Sequence, residues 1–302
     1  MKQNWADLYG NAAAIDGSGS GQSYADSVAA PAIPDYAPAP DPTGGLYGTT
    51  TTTLTGTIGS TTEQMALYLT ETGNTSAVAV SDINQGQIGD CYLLSSIGEI
   101  VLTDPSFITN MITQNSNGTE TVKLYAFETV KVGHSSITEL VATTKTVTNN
   151  FASYSVDNGA SQDVVGGVKE IWPQVLENAF AQLGGGYSSI MNGGSPVYAM
   201  EELTGNAATW YSPTQFGSTA AQVTANFNTL IKANDMIVLD TSMSGNSTYN
   251  LVGDHAYMFD GLVTQGGATY VKALNPWGFD QPSLIPVTAL SKAFVEVDVG
   301  KA

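Results

Sequence analysis

The single cysteine of this 302-residue chain, Cys91, is the side chain best suited to covalent chemistry. It lies in Gln85-Gly86-Gln87-Ile88-Gly89-Asp90-Cys91-Tyr92-Leu93-Leu94, where the glycines indicate a turn that leads into a helix. The N-terminus of a helix carries partial positive charge, which favours a thiolate over a thiol. The position therefore suits a nucleophile, although a lone cysteine is more often a small buried core residue.

A nearby base is needed, because a thiol is a weak nucleophile until it loses its proton. The chain has two histidines, His134 and His255. His134 lies in a turn-like polar segment and is typical of a solvated loop histidine. His255 lies in Gly253-Asp254-His255-Ala256-Tyr257-Met258-Phe259, at the start of a predicted strand. A strand holds an imidazole rigidly, as a general base requires, so His255 is the candidate base.

Asn275 ends the second strand of a predicted hairpin that His255 begins, with Thr264-Gln265-Gly266-Gly267 as the turn. Antiparallel pairing brings the far ends of two strands together, so the Asn275 amide can reach the His255 ring. An amide there would fix the imidazole tautomer, and Trp277 could shield the bond from water. The alternative is that Asn275-Pro276 is an ordinary turn.

Gln85, six residues before Cys91, could supply a further function. Its side-chain amide and the Cys91 backbone N–H could both donate to an oxyanion. A single glutamine means little, but a Gln and a turn before a Cys at a helix start, with a later His and Asn, favour a catalytic role for Cys91.

The charge balance excludes some partners. Nine lysines and no arginine stand against 27 acidic residues, for a formal net charge of -18. Nucleic acid and anionic membrane surfaces are poor partners, because phosphate binding needs basic clusters. We expect a monomer with no transmembrane segment. The N-terminus lacks the apolar stretch of an ordinary signal peptide, and the sequence leaves bacterial-type secretion and a cytoplasmic location equally open.

Composition divides the chain into three predicted parts. Residues 1–61 are rich in Gly, Ser, Pro and Thr, and such a segment buries too little apolar surface to offset its chain entropy. We interpret it as a low-complexity leader or pro-segment. Residues 62–205 and 206–302 are predicted to form two lobes.

Apolar periodicity predicts helices around Cys91 and strands around His255, which is an α+β layout with two unlike lobes. The predicted helices cover residues 62–70, 91–102, 171–183 and part of 206–230. The predicted strands cover residues 119–132, 136–147, 236–239, 255–263 and 268–274.

Together these motifs resemble those of calpains, the papain-like calcium-dependent cysteine proteases. The Gln85–Leu94 run is similar to their active-site segment, His255-Ala256-Tyr257 to their histidine motif and Asn275-Pro276-Trp277-Gly278 to their asparagine motif. The resemblance covers roughly residues 75–300. It continues through 170–183, which resembles the long helix of the calpain core, and through Gly186-Tyr187, Gly193-Gly194 and Leu203-Thr204-Gly205.

The resemblance implies a papain-like core of two lobes, the first helical and the second an antiparallel sheet, with a cleft between them. Cys91 and Gln85 would lie in one lobe, and His255 and Asn275 in the other. It implies an endopeptidase that forms a thioester acyl-enzyme on Cys91 and cleaves extended segments of protein or peptide substrates. Gly194 would border the substrate cleft, although a Gly-Gly pair is also an ordinary turn.

The resemblance also implies calcium. Asp82, three residues before Gln85, and Glu170, two before Trp172, match carboxylates that bind calcium in the first lobe of calpains. Carbonyl oxygens of residues 74–78 would complete the site. Two carboxylates with carbonyls suit a hard cation. Alone, each acidic residue is an ordinary turn or capping residue.

The sequence departs from calpains at several points. Tyr92 replaces their usual Trp, and the segment after the asparagine motif offers only Asp280, so a second calcium site is not expected there. Two other functions stay open: a catalytically silent binding or adhesion module on a calpain-like scaffold, and acyl transfer to amines as in transglutaminases. The latter use Asp where this chain has Asn275.

Overall fold

The computed structural model describes residues 54–70, 76–132, 135–155 and 164–302, all within one compact unit, Gly45–Ala302. His134 and most of the predicted leader lie outside the described residues. Within them the fold is mixed α+β, as predicted, with six α-helices and three sheets. Of the helices in these ranges, none has both the length and the apolar character that crossing a membrane requires.

The helices are α1 (Cys91–Thr103), α2 (Pro105–Met111), α3 (Trp172–Gly184), α4 (Pro196–Thr204), α5 (Ala220–Lys232) and α6 (Leu290–Ala293). The strands are β1 (Leu54–Ile58), β2 (Thr61–Ala66), β3 (Ile112–Gln114), β4 (Glu120–Val132), β5 (Ser135–Val147), β6 (Asn150–Phe151), β7 (Val164–Val165), β8 (Val168–Glu170), β9 (Thr209–Tyr211), β10 (Asp235–Asp240), β11 (Ala256–Gln265), β12 (Ala268–Leu274), β13 (Ile285–Pro286) and β14 (Glu296–Lys301).

The predicted helix over residues 62–70 is wrong, because this segment contains strand β2. The strand lies in a five-stranded sheet of order β6-β1-β2-β8-β7. It pairs antiparallel with β1, with Met65 opposite Leu54, and parallel with β8, with Ala66 opposite Glu170. Strand β8 lies about a hundred residues after β2 in the chain, so local sequence patterns do not predict their pairing.

The two main helices have the predicted apolar faces. Helix α1 buries Leu93, Leu94, Ile97 and Ile100 completely, and α3 buries its stripe of Trp172, Val175, Leu176, Ala179 and Phe180. Helix α3 ends where Gly185 adopts a left-handed conformation with φ of 96°, which glycine tolerates without steric cost. Both helices contribute to one core cluster.

The second sheet has six strands in the order β13-β12-β11-β10-β14-β9. Its β11–β12 hairpin is confirmed, and it turns at Gly266-Gly267, both of which have positive φ, at 60° and 80°. This is the backbone geometry that two-residue hairpins favour. The register shifts between Phe259 and Leu262, which indicates a bulge. A second core cluster, which includes Phe227, lies on this sheet.

Glu99 joins α1 to the second sheet. Its two carboxylate oxygens accept the backbone N–H groups of Ile237 in β10, at 2.8 Å, and of Phe259 in β11, at 2.5 Å. The side chain is only 2% exposed, and burial raises the pKa of the Glu99 carboxyl well above its usual value. The helix that begins at Cys91 is thereby held against the strand that follows His255.

We expect Glu99→Ala to lower the free energy of unfolding by about 2–4 kcal/mol, because two buried N–H groups lose their acceptor. Glu99→Gln keeps one acceptor oxygen and should cost about half as much. The matched control is Glu139→Ala, whose carboxylate is exposed on β5. Chemical denaturation measures all three. Equal effects of Glu99→Ala and Glu139→Ala would contradict the role of Glu99.

Candidate active site

Cys91 is the first residue of α1, as predicted, and its side chain is partly exposed. The backbone N–H of Ala256, the residue after His255, lies near enough to Cys91 to lower the pKa of its thiol. Ala256 also receives a second contact from α1, because the Ser95 hydroxyl donates to its carbonyl oxygen at 3.1 Å. Helix α1 therefore holds the thiol beside the start of β11.

Burial raises the pKa of the Cys91 thiol to about 11, and the negative charges of Asp240 and Asp90 act in the same direction. The Ala256 N–H lowers this pKa, but by less than burial raises it. Burial of the sulfur therefore opposes the thiolate that the helix N-terminus favours.

His255 immediately precedes β11 and is buried. Its Nε2 lies 2.9 Å from the Oδ1 of Asn275, which confirms that the hairpin brings these two residues together. Since an amide oxygen only accepts, Nε2 carries the proton of the neutral ring and Nδ1 is the basic nitrogen. Burial lowers the pKa of His255, although Asn275 and Asp254 oppose this effect. The Trp277 ring lies 4.8 Å from the imidazole, between ring centres.

The segment after Asn275 fixes the orientation of its amide. The Asn275 Nδ2 donates to the carbonyl oxygen of Asp280 at 3.2 Å, and the Trp277 N–H donates to Oδ1 at 3.0 Å. The Asn275 backbone N–H donates to Gln281 Oε1 at 2.9 Å. Sequence reasoning missed Gln281, because a single glutamine after an Asn-Pro turn carries no distinctive signal.

Gln85 lies in the loop that leads to Cys91, and its side chain forms a hydrogen bond within that loop. Its side-chain Nε2 donates to the carbonyl oxygen of Ile88 at 2.7 Å. Its backbone N–H donates to the carbonyl oxygen of Pro276 at 2.8 Å. The loop before the cysteine is therefore bonded directly to the asparagine motif.

These residues share a cleft of about 740 Å³, which is lined by Gln85, Cys91, Gly194, His255 and Trp277 among others. The close packing of Gly194 explains its identity. A Cβ at this position would lie 2.4 Å from the Tyr92 ring, so only glycine fits. Asp240 and Glu296 also line the cleft, and the sequence analysis did not identify them.

Both predicted calcium ligands are buried carboxylates. Asp82 Oδ2 accepts the Ala79 N–H at 2.6 Å and the Trp172 indole N–H at 3.0 Å. Glu170 Oε1 accepts the Leu69 N–H at 2.5 Å. The two ligands are thus linked through Trp172, two residues after Glu170. The oxygen donors and their burial fit a hard cation, while part of the carbonyl segment 74–78 lies outside the described residues.

Behind Cys91 lies a buried acidic pair that sequence reasoning missed. The Asp90 carboxyl contacts that of Glu177 on α3, and the Tyr187 hydroxyl donates to Glu177 Oε2 at 3.0 Å. Burial raises the pKa of Asp90 to about 7, while its contacts with Glu177 and Gln85 lower it. Asp90 therefore binds a proton near neutral pH, in the residue next to the thiol.

Comparison with known proteins identifies similar chains. The sequence profile of the "Calpain family cysteine protease" family matches residues 67–282. "Calpain clp-4" of Caenorhabditis elegans is 28% identical over 211 residues, which is 65% of this chain and 27% of the relative. "Calpain-9" of Homo sapiens is 25% identical over 211 residues, or 66% and 28%, and "Calpain-2 catalytic subunit" of Gallus gallus is 26% identical over 207 residues, or 66% and 28%. The chain spans just over a quarter of these relatives.

We expect the free energy of unfolding to fall as the pH rises from about 5 to about 8. Burial raises the pKa of Glu202 to about 8 and that of Asp90 to about 7, so the folded chain binds more protons than the unfolded chain in this range. Glu202→Gln should flatten the profile, and the exposed Glu139→Gln should leave it unchanged. Urea denaturation at several pH values measures this. Stability that rises with pH would contradict it.

Proposed function

Because the chain belongs to the calpain family of cysteine proteases, we propose that it is a calcium-dependent cysteine endopeptidase that cleaves extended segments of proteins. One observation carries this proposal. The His255 Nε2–Asn275 Oδ1 contact of 2.9 Å orients an imidazole in the same cleft as Cys91, the first residue of a helix. This contact supports a Cys-His-Asn triad as the catalytic machinery.

The proposed reaction begins with transfer of the Cys91 proton to Nδ1 of His255, and the sulfur then attacks a peptide carbonyl. The Cys91 backbone N–H stabilises the oxyanion, together with Gln85 once its amide is released from Ile88. The imidazolium protonates the leaving amine, the C–N bond breaks and the acyl group stays on Cys91 as a thioester. The neutral imidazole then activates a water, whose attack releases the carboxylic acid and regenerates the thiol. Asn275 holds the imidazole in one tautomer throughout.

The arrangement described above favours a neutral thiol and a neutral imidazole. Burial disfavours both charged forms, as the raised pKa of Cys91 and the lowered pKa of His255 indicate. Thiolate and imidazolium stabilise each other only at close range. We therefore propose that activity needs a ligand or a rearrangement that brings the two groups into an ion pair.

Calcium is our proposed ligand for that step. Asp82 and Glu170 would bind it together with carbonyl oxygens of the preceding loop, and bound calcium would supply a fixed positive charge that orders this segment. We further propose two papain-like lobes, residues 62–205 and 206–302, with an autoprocessed pro-segment before them. Strand β1, which begins at Leu54, would then remain with the mature core.

A silent binding module on the same scaffold is the second candidate, favoured by the neutral thiol. The two functions differ in thiol reactivity. Rapid and selective labelling of Cys91 by an epoxysuccinyl inhibitor excludes the silent module, whereas no labelling under any calcium condition excludes the protease.

We expect Cys91→Ala and His255→Ala to abolish cleavage of an unfolded protein substrate. Asn275→Ala should lower kcat/KM by about two orders of magnitude or more, because the tautomer and orientation of His255 are lost. The matched control is His134→Ala, which removes the other histidine and should retain activity. Cleavage that survives in the Cys91→Ala variant would refute the assignment.

We expect cleavage to require added calcium and to stop with a calcium chelator. Asp82→Asn should raise the calcium concentration for half-maximal activity by about tenfold or more, since one ligand charge is lost. Asp260→Asn, on β11, is the control, and circular dichroism checks that each variant folds. Full activity in chelator would refute calcium dependence but leave the triad intact.

A further inference from the structure

Three carboxylates converge on one face of the second sheet, beside the cleft. Glu296 lies directly opposite Asp240 in the β10–β14 pair. Asp298 follows two residues later in β14, so its side chain lies on the same face. One carboxylate oxygen of each of the three lies within 4.8 Å of the others. Asp240 and Glu296 line the cleft, and Asp298 lies beneath it.

Asp298 is the most unusual member of this cluster. Its side chain is fully buried, at 0% exposure, and neither of its carboxylate oxygens accepts a hydrogen bond from any donor in the described ranges. A buried carboxylate without donors costs several kcal/mol, and two further carboxylates within contact range add repulsion. The cluster therefore needs a positively charged occupant or bound protons.

Lysine does not supply that charge from the neighbouring strands. Lys301 of β14 forms its ion pair with Asp235, and Lys272 of β12 forms its pair with Asp260. Both pairs lie away from the cluster. The open side of the cluster faces the cleft, where water or a substrate carbonyl can approach.

We propose that Asp240, Glu296 and Asp298 bind a hard divalent cation at the floor of the cleft. All three ligands are oxygen donors of like charge at a spacing that one ion bridges, which is the chemistry that Ca²⁺ and Mg²⁺ share. The site is separate from Asp82 and Glu170, and it does not depend on the proposed protease activity.

The location gives this cation an electrostatic effect on the thiol. Asp240 lies opposite Ala256 in the β10–β11 pair, and its negative charge raises the pKa of the Cys91 thiol. A cation bound to Asp240 would offset the negative charge of Asp240, which disfavours the Cys91 thiolate.

Terbium luminescence and calcium or magnesium calorimetry test the proposal in the Cys91→Ala variant, which removes self-cleavage. Trp210, opposite Asp298 in the β14–β9 pair, lies on the same face and can sensitise terbium. We expect Asp298→Asn and Glu296→Gln to weaken one binding event by about tenfold or more. Asp260→Asn, the matched control, should leave it unchanged, and the event should persist in Asp82→Asn.

The fold of the variants is checked by thermal melting in chelator. Asp298→Asn preserves shape and removes repulsion, so it should melt at the same or a higher temperature than its parent. Retention of every binding event in both Asp298→Asn and Glu296→Gln would overturn the proposal. So would a parent protein whose only binding event is lost in Asp82→Asn, since protons would then occupy the cluster. Loss of protease activity alone would not affect it.

Discussion

The candidate site depends on the docking of one helix against two strands through main-chain groups. Helix α1 contacts the start of β11 in its first two turns: Cys91 lies near the Ala256 N–H, and the Ser95 hydroxyl donates to the Ala256 carbonyl. Two turns after Cys91, the Glu99 carboxylate accepts N–H groups from β10 and β11. These contacts fix helix α1 against β10 and β11, so the fold places the thiol beside the strand that His255 precedes.

The scarcity of basic residues shapes the rest of the molecule. With nine lysines and no arginine against 27 acidic residues, the chain has few side-chain cations to pair with its carboxyl groups. The structure shows two other ways in which buried carboxyl groups are stabilised. Glu99 and Asp82 accept N–H groups, which compensate for lost hydration. Burial instead raises the pKa of Asp90 to about 7, so this carboxyl is partly protonated near neutral pH. Binding of cations from solution would be a third way to stabilise them.

Local patterns predicted the elements that carry the site, and long-range contacts account for what they missed. The apolar stripes of α1 and α3 and the Gly-Gly turn of the β11–β12 hairpin are encoded within a few residues each, so the His255–Asn275 contact followed from sequence. Strand β2 pairs with the adjacent β1 but also with β8, which is distant in the chain, and Glu99 reaches its two N–H donors only after β10 and β11 assemble. The raised pKa of Cys91 depends on burial, which no spacing of residues reports.

The hydrogen bond from the Gln85 N–H to the Pro276 carbonyl is insensitive to most substitutions of its two residues. Both partners are main-chain atoms, so no exchange of side chains at position 276 removes the acceptor, and only proline at position 85 removes the donor. Most substitutions therefore leave the hydrogen bond between the cysteine loop and the asparagine motif intact. The contact that joins the two motifs therefore depends on the course of the backbone and not on the side chains at positions 85 and 276.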